Sequence, residues 1–181
     1  MKKKCFEILM KWSLVIAVFA FSNASYSQSR GLLKGDKSFG FRAGSSFGSI
    51  PNYYQLEFGV VFKEKMQFRT SVFFDHGMYE TTNYTVGGIN MDFMYSLFAI
   101  KERVYFNVGI GAMLGNEGIS SNIEPRTLNK FVLGARGVAE LNIGLSEKIA
   151  MSLEFSQWYV AFSNLGDFHY TGTVGIHYNI K

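Results

Sequence analysis

Seven charged residues in this 181-residue chain fall on the polar side of an alternating pattern: Arg42, Glu57, Arg69, Asp92, Arg136, Glu140 and Glu154. Glu140 and Glu154 lie about equally far from the polar turn Ser146-Glu147-Lys148. A hairpin through that turn therefore sets the two carboxylates opposite each other on one face. Paired carboxylates in a low-dielectric interior repel unless cations sit between them. Arg42, Arg69 and Arg136 are the cations available. The chemistry this implies is an interior ion network in which removing one partner strands a charge, at a cost of several kcal/mol. A proton or ion pathway along the same groups would also need an open channel.

A second constellation concerns nucleophilic catalysis. The same counting sets His177 opposite Ser152 on the final hairpin, with Glu154 close by. Serine, base and acid are the set that acyl transfer uses. Spacing permits such a set and only geometry establishes it. Ser152 points inward near a closed rim, away from lipid, so the residues read as non-catalytic and His177 as an interior filler. His76 and His169 fall at loop ends, and three scattered histidines make no metal site. The single cysteine, Cys5, excludes an internal disulfide or a cysteine zinc site. No glycine-rich phosphate loop feeds a helix. The expectation is no cofactor and no catalytic residue.

The elements that position these residues are strands. Phe131, Leu133, Ala135, Gly137, Ala139, Leu141 and Ile143 alternate with Lys130, Val132, Gly134, Arg136, Val138, Glu140 and Asn142. Ile149, Met151, Leu153 and Phe155 alternate with Ala150, Ser152, Glu154 and Ser156; Phe168, Tyr170, Val174, Ile176, Tyr178 and Ile180 share one face of the last segment. A period of two marks a strand, and a helical period would scramble both sets. Weaker alternation places further strands near 38–47, 53–63, 66–75, 86–99 and 103–114, with Ile89, Met91, Phe93, Tyr95 and Leu97 opposite Asn90 and Asp92. That makes eight strands, many of roughly 10 residues, a length that suits a tilted membrane strand.

The connections alternate too. Lys63-Glu64-Lys65, Lys101-Glu102 and Ser146-Glu147-Lys148 are tight polar turns, whereas 48–52, 76–85, 115–129 and 160–167 read as longer loops. The longest, 115–129, carries Asn116, Glu117, Asn122, Glu124, Pro125 and Arg126 and is expected to be the third external loop. Short turns at one rim and long loops at the other are the layout of an eight-stranded antiparallel up-and-down transmembrane β-barrel.

The N-terminus is read separately. Lys2, Lys3, Lys4 and Lys11 precede the apolar run from Trp12 to Phe21, followed by small residues at Ser22, Ala24, Ser25 and Ser27. This is the layout of a secretory signal, expected to span 1–27 and to leave a barrel domain at 28–181. The run is short for a spanning helix. Without 1–27 the chain carries 14 basic and 13 acidic residues, so the net charge falls from +4 to +1. No clustered basic face remains for direct contact with nucleic acid.

A soluble barrel carries apolar residues inside and charge outside. Here the polar face is Gly, Ser, Thr and Asn with a few charges of both signs, a poor water-facing surface and a workable closed interior. The other face is Phe, Leu, Ile, Val and Tyr, which suits lipid, and a closed ladder satisfies every backbone group in hydrocarbon. Tyr53, Tyr54, Tyr79, Tyr84, Tyr105, Trp158, Tyr159, Tyr170 and Tyr178 lie near strand ends and are expected to form interfacial girdles. The expected surroundings are outer-membrane lipid in a Gram-negative bacterium.

Three stretches carry a family resemblance: Tyr105 to Glu117 (YFNVGIGAMLGNE), Phe131 to Trp158 (FVLGARGVAELNIGLSEKIAMSLEFSQW) and Gly172 to Lys181 (GTVGIHYNIK). They resemble the conjugative transposon protein TraO family of Bacteroides-type mobile elements. The resemblance implies an outer-membrane barrel, a structural or accessory place in envelope-spanning DNA-transfer machinery, and other envelope proteins as partners. It carries no catalytic residues. The alternative function is a stand-alone outer-membrane barrel whose external loops bind a surface ligand.

Overall fold

The computed structural model describes residues 35–46, 52–79, 82–100, 103–121, 127–163 and 168–180. The expected signal segment 1–27, Phe47, the Lys101-Glu102 turn and residues Asn122, Glu124, Pro125 and Arg126 lie outside them.

Eight strands follow one another: β1 Lys37–Ser46, β2 Asn52–Lys63, β3 Met66–Tyr79, β4 Thr82–Ile100, β5 Val104–Ser121, β6 Thr127–Gly144, β7 Ile149–Ala161 and β8 Phe168–Ile180. Each pairs antiparallel with the next, and β1 pairs with β8, which closes the barrel. Closure leaves no edge along the body of the sheet, so strands can cross hydrocarbon with their backbone groups satisfied.

The pleat sorts the side chains. On β7, Ala150, Ser152, Glu154, Ser156, Trp158 and Val160 are buried, while Leu153, Phe155 and Tyr159 are exposed. The same holds on β4, where Asn90, Asp92 and Met94 point in and Ile89, Met91, Phe93, Tyr95 and Leu97 point out. Polar groups thus fill the centre and the greasy side chains form the outer wall, the reverse of a water-soluble barrel.

A pairing circuit measures the stagger. Starting at Ser46, partners run through Thr171, Ser156, Val138, Gly109, Met94, Gln67 and Val61. Val61 closes it by taking the carbonyl of Asp36 at 2.9 Å. The circuit returns to the first strand at position 36 instead of 46, ten residues lower. A stagger of that size in eight strands corresponds to a tilt of about 40°, and such a lumen is just wide enough for side chains to fill.

Two of the expected tight turns are present. Lys63 pairs with Met66 across Glu64-Lys65, with Lys65 in the left-handed region at φ 65°. At the β6–β7 turn the Ser146 hydroxyl accepts from the backbone N–H of Ile149 at 3.0 Å and of Lys148 at 3.3 Å. The other rim corrects the sequence reading. The segments 76–85 and 115–129 are mostly strand, since β3 runs to Tyr79, β4 starts at Thr82, β5 runs to Ser121 and β6 starts at Thr127. Asn116 pairs with Gly87 and Glu117 with Val86, so both belong to the wall and not to a third external loop. Alternation weakened by Gly87, Gly88, Gly115 and Gly118 hid the extension, because cross-strand backbone bonds hold these residues and their side chains contribute no pattern.

Candidate functional site

All seven charges named from the sequence meet in the lumen, and all are at most 4 % exposed. Arg42, on β1, reaches Glu57 on the neighbouring β2 through Nε at 2.6 Å and Nη2 at 3.2 Å. Its Nη2 also bonds Glu140 across the barrel. Arg69, on β3, donates to Glu140 at 2.8 Å and to Asp92 at 3.1 and 3.2 Å, and its Nη2 lies 2.8 Å from Glu154. Arg136, on β6, bonds Glu154 and lies 3.3 Å from Asp92. Glu140 and Glu154 do face each other across β6 and β7, and the guanidinium groups of Arg42 and Arg69 are in reach of both. The belt ties together strands that are not neighbours, which the backbone ladder cannot do.

Glycines on the inner wall make room for these long side chains. A Cβ on Gly175 would come 2.6 Å from Arg42 Cγ and 3.0 Å from Ser152 Oγ; one on Gly40 would come 2.8 Å from His177 Nδ1 and 3.0 Å from Glu57. Gly111 similarly accommodates Asp92. The glycines therefore do more than thin the wall: a side chain at these positions would occupy space that the network already fills.

The serine–histidine pair is present with a different register and a different acid. Ser152 lies opposite Gly175, and His177 opposite Ala150, so the two are diagonal neighbours instead of directly paired. Ser152 Oγ is 2.7 Å from His177 Nε2. The carboxylate on the far side of the ring is Glu57, 2.9 Å from Nδ1, and not Glu154, whose contacts go to the arginines. Gly40 on the intervening β1 pairs with Glu57 on one side and His177 on the other and has no side chain to part them, which counting along one hairpin does not reveal. Arg42 Nη2 lies 3.1 Å from the same Nε2. A guanidinium has only donors, so Arg42 crowds the same ring nitrogen that the Ser152 hydroxyl reaches. The polarity order resembles a nucleophile relay. However, Ser152 is 1 % exposed, Arg42 competes for the lone pair that a general base needs, and Gly175 backs directly onto the hydroxyl. The geometry is that of a packed hydrogen-bond junction.

Above the belt an apolar plug crosses the lumen. Tyr53, Phe73, Met113, Val132, Trp158 and Val160 form one buried cluster. Trp158 meets Phe73 edge-on at 4.9 Å and Tyr53 at 6.2 Å, and the Arg136 guanidinium lies 5.1 Å from the indole centre. Tyr53 passes the polar chain down to the belt, donating to Gln55 at 2.6 Å, which donates to Glu57 at 3.0 Å. A cavity of about 30 Å³ beside the plug holds no more than a water molecule or so. Tyr53, Tyr84 and Trp158 thus belong to the interior and not to the interfacial girdles, a correction of the sequence reading. Tyr54, Tyr159, Tyr170 and Tyr178 are exposed on the outer wall as expected; the side chain of Tyr79 lies outside the described residues. The signal for the plug was available: Tyr53 shares the parity of Glu57, and Trp158 that of Glu154.

Comparison with protein-family models and with curated proteins finds no match. Among solved structures the chain is similar to Neisserial surface protein A at 10 % identity and TM-score 0.61, covering 82 % of this chain and 99 % of that one. The N-terminal β-barrel domain of Pseudomonas aeruginosa OprF is similar at 12 % identity and TM-score 0.59, covering 81 % and 98 %. Ail, the attachment invasion locus protein of Yersinia pestis, is similar at 14 % identity and TM-score 0.57, covering 82 % and 100 %. The fold of this chain is that of the eight-stranded outer-membrane β-barrels.

Proposed function

We propose that a non-catalytic barrel of this fold, seated in the outer membrane of a Gram-negative bacterium, acts as an accessory component of a conjugative DNA-transfer apparatus. The observation that carries the non-catalytic, non-channel part is the filled lumen. The ionic belt and the aromatic plug occupy the interior in succession, and the junction at Ser152 offers no substrate space. The working surfaces are then the rims and the outer wall, where an accessory protein meets its partners. The apolar exterior and the fold support a place in outer-membrane lipid. The transfer apparatus is supported by the resemblance of residues 105–117, 131–158 and 172–181 to the TraO family. Envelope proteins of that machinery are the partners this reading requires, and DNA itself is not among them.

The experiment is a deletion in a donor strain. Loss of the gene lowers transfer frequency at least tenfold, expression in trans restores it, and the tagged barrel extracted in mild detergent brings transfer proteins with it. Undiminished transfer in the deletion strain refutes the role.

One observation favours a second reading, a stand-alone barrel that binds a surface ligand: the wall is taller along β4, β5 and β6 than along β1, β2, β7 and β8. One of the similar structures is an attachment invasion locus protein. Replacing the β5–β6 tip then abolishes binding of intact cells to the ligand surface and leaves transfer unaffected.

A further inference from the structure

Without residues 1–27 the net charge is only +1, and that total hides a division between the two ends of the strands. In sequence, the stretches 34–37, 63–65, 101–103 and 146–148, with position 181, hold eight Lys and Arg against four Asp and Glu. The stretches 75–85, 115–130 and 160–169, which adjoin the opposite strand ends, hold two against five. The basic stretches are far apart along the chain, so only closure of the barrel gathers them at one rim.

Five of these cations are among the described residues: Lys37 on β1, Lys63 and Lys65 at the β2–β3 turn, Arg103 next to the first residue of β5, and Lys148 next to the first residue of β7. Every station around the tight-turn rim thus carries at least one. The four lysines are exposed and Arg103 is half-buried. Backbone bonds stitch the stations into a ring. The carbonyl of Lys65 accepts from Ser96 at 2.8 Å, that of Arg103 from Gly144 at 2.7 Å and that of Lys148 from Asn179 at 2.7 Å, and Lys37 pairs with Ile180. Asp36, Glu64 and Glu147 share the rim and leave the cations in excess. The greasy wall runs right up to this ring: Phe39, Phe62, Ile100, Leu145 and Ile149 are all exposed and lie within three residues of a cation.

We infer that this rim binds the anionic phospholipid headgroups of the leaflet it faces, phosphatidylglycerol being the simplest of that class. Charge and height together single out the occupant. An excess of basic side chains attracts net-anionic lipids over zwitterionic ones. Cations that adjoin lipid-facing apolar residues keep their stems in the hydrocarbon and their charges at the phosphate layer, whereas an acidic soluble partner meets a surface that stands clear of the bilayer. Short turns lie on the periplasmic side, so the leaflet is the inner one of the outer membrane. The inference rests on the outer-membrane placement and is independent of the transfer role.

The test reconstitutes the full barrel in phosphatidylcholine vesicles containing about one fifth phosphatidylglycerol, a composition at which net-anionic lipid is the minority species. The barrel is then extracted in a mild non-ionic detergent, and the retained phospholipid is identified by native mass spectrometry. Phosphatidylglycerol enriched at least threefold over its share in the vesicles is expected, falling at high salt as screening predicts. A Lys37→Gln, Lys63→Gln, Lys148→Gln variant that keeps its heat-modifiable mobility on gels loses the enrichment. The corresponding triple arginine variant keeps it, and so does Lys130→Gln at the opposite rim. Retained lipid that matches the vesicle composition overturns the inference and assigns the ring to an acidic partner on the periplasmic side. Enrichment that survives the triple glutamine change, or that Lys130→Gln abolishes equally, overturns it too. Should the glutamine variant not fold, the parent decides, because enrichment that is the same at low and high salt is not electrostatic. A chain that inserts into neither neutral nor anionic vesicles brings down the membrane placement itself, whereas insertion without preference brings down only the headgroup site.

Discussion

Arg42 makes four hydrogen bonds in the belt: two to Glu57, one to Glu140 and one to the ring of His177. Replacing it with methionine keeps much of the volume and removes one of the two guanidinium groups that face the buried carboxylates of Glu57 and Glu140. A loss of about 3–5 kcal/mol is expected, the usual cost of breaking a buried pair from one side, read as a lower urea midpoint for unfolding from lipid vesicles. Ser152→Ala removes one hydroxyl that bonds His177, and about 1 kcal/mol is expected. Neither the parent nor this variant is labelled by a serine-directed fluorophosphonate; labelling of the parent that disappears in the variant would restore the catalytic reading. The seven charges were legible because each sits at an inward position of an alternating strand. The role of Glu57 beside His177 was not, since β2 and β8 are far apart in sequence and adjacent only to β1 in common.

Strands with glycine on their inner face obey a simple rule of occupancy. Gly175→Val introduces a Cβ close to Arg42 Cγ and 3.1 Å from the carbonyl oxygen of Phe41. Overpacking of this kind costs about 1–3 kcal/mol, and a lower yield of folded, heat-modifiable barrel is expected. Gly137 supplies the control. It faces outward on β6, and a Cβ there meets only a carbonyl oxygen at 4.0 Å, so Gly137→Ala refolds like the parent. Element type was readable where alternation was strong, as along Ile149 to Ser156, and the tight turns at 63–65 and 146–148 were readable from their polar residues. Strand length was not readable at the upper rim. Residues 115–121 hold polar groups and glycines that look like loop, yet the ladder from Asn83↔Ser120 to Gly88↔Gly115 keeps them extended.

Taken as a whole, the barrel inverts the usual distribution of polarity, and each half of that inversion can be tested. Phe155 faces outward at 47 % exposure, next in the chain to the belt residue Glu154. Phe155→Arg puts a charge into hydrocarbon near mid-height, where about 2–4 kcal/mol is lost; the unfolding midpoint in vesicles falls accordingly, while the same change near a rim costs little. The plugged lumen predicts that planar bilayers containing the barrel show no steady conductance. Stable ion channels in the parent, abolished by bulkier side chains in the plug, would contradict the filled interior.

The amino-acid sequence by itself determined the alternation, the strand count, the inward placement of the seven charges and the outward placement of the greasy face, because a strand's two faces depend only on residue parity. Which charge meets which, which aromatics plug the lumen and how tall each part of the wall stands were decided by the closed tertiary structure. Closure with a ten-residue stagger brings residues from non-adjacent strands within hydrogen-bond distance, and no spacing along the chain encodes that contact.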